Sequence, residues 1–133
     1  MRMAVLSDVH ANLEALEAVA ADMDRQRVEK VMYLGDVVGY GADPNACVKL
    51  IARLCDIRLM GNHDYVGLGL DSPKYFNVMA QQSILWTQKE LDRKATELMS
   101  VFSREAEYRN YYLVHATPDN PLEWNYLLTP DEA

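Results

Sequence analysis

Leu59-Met60-Gly61-Asn62-His63-Asp64 is the stretch on which the fold turns. A short apolar approach over residues 56–60 stops at a glycine, and three polar groups follow at once. Asn62 brings a carbonyl oxygen, His63 an imidazole that titrates near neutrality, and Asp64 a carboxylate. Open α/β sheets hold their binding groups in that position, just beyond the carboxyl end of a buried strand. The same six residues also describe an ordinary Gly-Asn turn with a solvated histidine and aspartate. The choice comes from outside the hexapeptide, because the layout recurs along the chain.

Toward the N-terminus, residues 31–34 form a second compact apolar run, and it ends in Gly35-Asp36. Met3–Leu6 is a third, broken by Ser7-Asp8-Val9-His10. Between these two runs, Leu13, Leu16, Ala20 and Met23 have the spacing of one helical face. Asn12 stands at the N-cap, and Glu14 and Glu17 suit the positive end of the helix dipole. The loop over residues 37–42 carries Gly39 and Gly41, which free the backbone for close approach to an ion or ligand. Asp43-Pro44 then opens a helix with Cys47, Leu50, Ile51 and Leu54 on its inner face. Strand, helix, strand, helix, strand predicts parallel strands joined by right-handed crossovers.

Toward the C-terminus, Gly67 and Gly69 lead to a helix start at Ser72-Pro73. Phe76, Met79, Ala80, Ile84 and Leu91 predict one long helix over residues 74–91, with a shorter one over 95–102. Tyr111–Val114 reads as a fourth strand, and it too ends in a ligand-type residue, His115. Residues 117–133 hold three prolines and an apolar patch at 122–128, so they predict a loop with one helical turn begun by Thr129-Pro130.

With 133 residues, half of them hydrophobic and a quarter charged, the chain reads as one globular domain over residues 1–133. No apolar run approaches a membrane span and no signal-peptide layout opens the sequence, so a cytoplasmic protein is expected. Cys47 and Cys55 suit a reducing compartment and are expected to be packed as free thiols. The net charge of −7, without any basic run, argues against a nucleic-acid partner or an anionic membrane. A phosphate ligand would then need bound cations to be held.

Four strand ends thus present Asp8 and His10, Asp36, Asn62 and His63, and His115. On one edge of a parallel sheet these groups can converge. Carboxylates, imidazoles and one amide oxygen, without thiolates, suit Mn²⁺, Fe, Zn²⁺, Co²⁺ or Ni²⁺ and disfavour Ca²⁺ or a structural zinc site. A carboxylate such as Asp36 can bridge two ions, and two ions ~4 Å apart clamp both oxygens of a phosphoryl displacement. Each residue also has a plainer role as a helix-start histidine, a turn acid or a hydrogen-bonded strand-end histidine. Four strands ending alike favour the metal reading. A phospho-accepting, receiver-like domain would explain the acids but leave Asn62, His63 and His115 idle.

Asp8-Val9-His10, Gly35-Asp36 with Gly39 and Gly41, Gly61-Asn62-His63-Asp64, and Val114-His115 together resemble the successive motifs of the calcineurin-like metallophosphoesterases. The run from Asp8 to Leu16, Gly39-Tyr40-Gly41 and the His-X-X-Pro turn at His115 are similar to small bacterial cytosolic members. The resemblance implies the N-terminal half of a four-layer α/β/β/α sandwich, mainly parallel sheet with helices, its second sheet largely missing. It implies two divalent ions: Asp8 and His10 on the first, Asp36 bridging, Asn62 and His115 on the second. His63 would act catalytically, giving a proton to the leaving alkoxide or steadying transition-state charge while a metal-bridging hydroxide attacks phosphorus in line. Asn12 and Asp64 would support the ligands or face the substrate, a small phosphate monoester or diester.

Two departures accompany the resemblance. Ala116 stands where the family usually has glycine, and the family's late Gly-His-X-His motif has no counterpart among three histidines already assigned. The expected phosphoesterase activity is therefore impaired by the missing ligands, and a non-catalytic metal-binding or protein-interaction remnant of the same fold is the alternative expectation. Uncovered sheet surface would invite a homodimer.

Overall fold

A computed structural model describes residues 1–132; Ala133, the last residue of the expected tail, lies outside the described residues. Met3–Leu6 forms β1, Lys30–Tyr33 forms β2 and Ile57–Arg58 forms β3, and they pair in parallel in the order β1-β2-β3. The crossovers are α1 (Leu13–Arg25) and α2 (Pro44–Leu54), as the alternation of patterns predicts. Asn12 caps α1, its Oδ1 accepting the Ala15 N–H at 3.0 Å. Asp43 precedes Pro44 at the start of α2 but makes no side-chain cap bond. The helix packs against α1, α4 (Val78–Glu90) and α5 (Arg93–Met99).

The core lies where Ala4, Leu6, Val31 and Tyr33 of the sheet meet Leu16, Cys47, Ile51, Ile84 and Met99 of the helices. Burying each such side chain contributes roughly 1.5–3 kcal/mol. Cys47 and Cys55 are free and buried, and burial pushes both thiols up to about 12. On the opposite face, Val5 and Met32 are register partners with different fates. Met32 is 2% exposed and Val5 55%. That face is covered over β2 and open over β1.

Several expectations need correcting. The third strand spans two residues rather than 56–60, because Leu59 passes into a single bridge with Ser103 and Gly61 ends the extended run. Asn62–Gly67 is a short helix, α3, rather than a turn, with Gly61 at its N-cap. The long helix over 74–91 is broken at its start: Pro73–Tyr75 is a 3₁₀ turn, and Asn77 caps a new helix by accepting the Ala80 N–H at 3.0 Å. Tyr111–Val114, β5, does not join the parallel sheet. It pairs antiparallel with Glu105–Tyr108, β4, a strand of alternating Glu and apolar residues unmarked in the sequence reading. Among the described residues the fourth parallel position is held only by Ser103, whose N–H donates to the Arg58 carbonyl at 2.9 Å. The helix expected over 95–102 is shorter, and the tail holds 3₁₀ turns at Pro121–Glu123 and Pro130–Glu132.

Candidate metal centre

The loops after β1 and β2 continue the sheet's pairing beyond its end. Asp8 N–H donates to the Gly35 carbonyl at 2.9 Å, His10 N–H to Asp36 at 2.9 Å, and Ala11 N–H to Val37 at 2.8 Å. Five non-glycine residues of these loops, Asp8, His10, Ala11, Asp36 and Tyr40, take positive φ. Such left-handed backbone is costly for residues with a Cβ and clusters where a structure over-determines a site.

Asp64 holds the β2 loop. It is fully buried, and its carboxylate accepts N–H groups from Asp36 (2.7 Å), Val37 (2.8 Å), Val38 (3.1 Å) and Gly61 (3.0 Å). Burial and the Asp36 charge raise its pKa to about 7, while the backbone donors from Gly61, Val38 and Asp36 pull the other way by favouring the ionised form. Buried and committed to backbone, Asp64 is a brace between the β2 loop and α3, and it has no face toward a substrate. Gly61 permits this contact, since a Cβ there would overlap Asp36 Oδ1.

Asp36 sits at the centre, 3% exposed, with Oδ1 accepting the His63 N–H at 2.9 Å. Its Oδ2 lies 3.8 Å from His10 Nε2 and 3.4 Å from His115 Nε2. Both rings are oriented from behind: His10 Nδ1 is 3.0 Å from the Val38 carbonyl and His115 Nδ1 2.8 Å from the Leu34 carbonyl. A carbonyl can only accept, so each Nδ1 carries the hydrogen and each Nε2 is turned to the site, the arrangement that presents an imidazole to an ion. Asp8 Oδ1 lies 3.5 Å from His10 Nε2, and Asn62 Oδ1 3.2 Å from His115 Nε2.

The structure therefore brings Asp8, His10, Asp36, Asn62, His63 and His115 together. Ligand-type atoms of His10, Asp36 and His63 lie within 4.8 Å of one another, as do those of Asp8, Asp36 and His115. Asp36 belongs to both groups, and His63 joins one of them. The expected division, Asp8 with His10 and Asn62 with His115, is thus crossed by Asp8 and His115 sharing a cluster through Asp36. Asn12 stays at the rim, its carbonyl committed to the α1 cap.

The electrostatics follow from this crowding. The His10 hydrogen bond holds the Asp8 carboxyl low, at about 2, against the effect of burial. Burial opposes charge on His10 and His115, but carboxylates and backbone carbonyls outweigh it, raising both and taking His115 to about 9. His63 differs: burial dominates and lowers its pKa. Imidazoles pressed against carboxylates in a donor set of nitrogen and oxygen without thiolates fit divalent cations, which would replace the protons now balancing the charge.

The sequence reading missed the site's aromatic walls. Tyr40 lies 4.9 Å from both His10 and His63, Phe76 stacks on His63, and Trp124 stands 6.2 Å from His115. The glycines flanking Tyr40 were the available signal for the first. Trp124 carried none, being placed by the tail's path.

Similarity to known proteins agrees with this geometry. The uncharacterized protein MJ0912 of Methanocaldococcus jannaschii is 41% identical over 133 residues, 97% of this chain and 54% of that one. A metallophosphoesterase from Sphaerobacter thermophilus superposes with TM-score 0.80 at 38% identity, over 96% of this chain and 51% of that chain. The hypothetical protein PH1004 from Pyrococcus horikoshii shares the fold, with TM-score 0.78 at 20% identity, 96% of this chain covering 58% of it. The chain spans about half the length of these relatives and matches the N-terminal half of a metallophosphoesterase fold. A model of the calcineurin-like phosphoesterases matches residues 1–131, every motif of the site included, and the chain belongs to that family.

Proposed function

We propose that the protein hydrolyses phosphate monoesters or diesters with two divalent ions held by Asp8, His10, Asp36, Asn62 and His115. One observation carries this reading: Asp36 Oδ2 faces the Nε2 atoms of two histidines, each locked from behind by a backbone carbonyl. Calcineurin-like phosphoesterases use divalent metals, and Mn²⁺, Fe, Zn²⁺, Co²⁺ and Ni²⁺ all suit these donors. Such ions supply Lewis acidity toward phosphate oxygens and lower the pKa of water.

The chain's own groups do the rest. Asp36 balances charge between the two halves of the site, and Asp8 and His10 fix the β1 side. Asn62 and His115 orient each other on the far side. With its pKa lowered by burial, His63 is neutral at pH 7, so it acts through an N–H hydrogen bond to a phosphoryl or leaving-group oxygen rather than by full protonation. The test is hydrolysis of bis(p-nitrophenyl) phosphate by the full chain with Mn²⁺, and with excess EDTA. Turnover that needs Mn²⁺ and falls in Asp36→Asn and His63→Ala is expected; Mn²⁺ binding without turnover would replace the enzyme by a non-catalytic metal-binding module. That second reading has one observation in its favour, the open wall beside β1, where the Asp8 side chain is 56% exposed.

The same wall supports a proposal about assembly. Val5, Leu6, Ala15, Leu16 and Val19 line an open groove between β1 and α1. We propose that two copies cover it, giving a concentration-dependent dimer in analytical ultracentrifugation; Val5→Glu is expected to return it to monomer. Among the described residues no helix is long and apolar enough to cross a membrane. The free thiols fit the cytoplasmic location we propose.

A further inference from the structure

His63 is the one site histidine with no polar group to aim its ring. His10 and His115 each have a carbonyl at Nδ1, whereas His63 Nδ1 is buried without any hydrogen-bond partner among the described residues. Its polar tie to the site is through the main chain, the N–H to Asp36 Oδ1. Buried orphan atoms are uncommon and ask what else fixes the group.

Here the answer is packing. Phe76 stacks on the imidazole with ring centroids 4.6 Å apart and planes 29° from parallel. His10 meets it edge-on at 4.8 Å, and Tyr40 leans against it at 4.9 Å. Behind Nδ1 stands Gly39, at φ +90°, where any Cβ would overlap that nitrogen. The stacking partner is itself immobilised. Phe76 N–H donates to the Pro73 carbonyl at 2.9 Å, Gln81 Nε2 donates to the Phe76 carbonyl at 2.6 Å, and its side chain packs on the core. The break between the 3₁₀ turn and α4, where a continuous helix is expected, is what turns Phe76 toward the site.

We infer that Phe76 is a positioning residue for His63: its ring face, in place of a hydrogen bond, sets the plane of the imidazole beside Asp36 and His10. This rests on the proposed hydrolytic role of His63. A ring held by stacking keeps its plane only while a flat partner is present, so an aliphatic residue of similar bulk cannot substitute and another aromatic can.

Phe76→Leu, Phe76→Tyr, His63→Ala and the Phe76→Leu/His63→Ala double variant of this chain make the test, with Mn²⁺ and bis(p-nitrophenyl) phosphate. Phe76→Leu is expected to lower kcat by about tenfold with KM and Mn²⁺ affinity within about twofold of wild type. Phe76→Tyr should keep wild-type kcat, and Phe76→Leu should add nothing once His63 is alanine. In the ion-free protein, nuclear Overhauser contacts from the His63 ring to His10 and Tyr40 should disappear in Phe76→Leu and persist in Phe76→Tyr. Equal losses in the Leu and Tyr variants, an undiminished Leu effect in the His63→Ala background, or unchanged ring contacts in Phe76→Leu would each overturn the inference. Wild-type activity that ignores His63→Ala would instead defeat the role given to His63, and the ring contacts would still decide what Phe76 does.

Discussion

The two sides of the metal centre are built differently. On the β1–β2 side, Asp8, His10 and Asp36 sit on loops laced to each other by backbone hydrogen bonds and braced by the fully buried Asp64. On the other side, His115 arrives from a two-stranded hairpin whose Tyr111 and Tyr112 are about half exposed, followed by a tail with Tyr126 75% exposed. Contacts with Leu34, Gly35, Asp36, Asn62 and Trp124 hold it in place. One side is made by folding the core, and the other is docked onto it. Local stability follows the same division, since regions with few buried apolar contacts open first.

The largest expected effect tests whether the two sides share anything. Asp36 belongs to both ligand groups, so Asp36→Asn should lower turnover by more than ~100-fold and remove both Mn²⁺-binding events in calorimetry. One event surviving intact would mean that the sides are independent. Next comes the brace. Asp64→Asn puts an amide N–H₂ against four N–H donors and should cost roughly 2–3 kcal/mol in urea unfolding. His115→Ala, on the docked side, should lower the unfolding free energy by less when both are compared above about pH 9, where the proton-linked share of the His115 contribution is gone. Equal losses would erase the distinction.

The braced side is also the side that could be read in the sequence. Its strands are compact apolar runs, its helices have caps and one apolar face, and each ligand follows a strand at once, so local pattern and global position coincide. The docked side could not be read that way. Tyr111–Val114 is equally apolar, but nothing within it says whether it pairs with β3 or with a preceding strand. Glu105–Tyr108 lacks a continuous apolar run because one of its faces is solvated. Asp64 has the composition of a ligand, and only the third dimension shows four backbone donors closing on it. Phe76 follows helical spacing and yet lies outside the helix, because Asn77 offers a better cap than the Ser72-Pro73 start extends.

A smaller effect depends on pH. In the ion-free protein the His115 pKa stands at about 9, above its ordinary 6.5, so the folded state holds a proton that the unfolded chain releases. The stability this adds is fully present below about 6.5 and is lost as pH rises through about 9. Thermal unfolding followed by circular dichroism should show Tm falling across that window, and His115→Ala should flatten the fall. A slope unchanged in His115→Ala would show that the docked histidine is not held against Asp36 in solution.

The smallest effect concerns the fastening between the sides. Trp124, with φ +56°, stands edge-on to His115 at 6.2 Å and also leans on Tyr65 of α3 at 5.7 Å. It therefore touches both the docked strand end and the helix whose first residues are Asn62 and His63. Aromatic contacts of this kind are worth about 0.5–1.5 kcal/mol, so Trp124→Ala should weaken Mn²⁺ at the His115 site by about threefold. Binding on the Asp8–His10 side should not move, because Trp124 makes no aromatic contact there. Equal weakening at both sites would mean that the docked edge and the braced loops move as one body, and that Asp36 transmits what happens at one imidazole to the other.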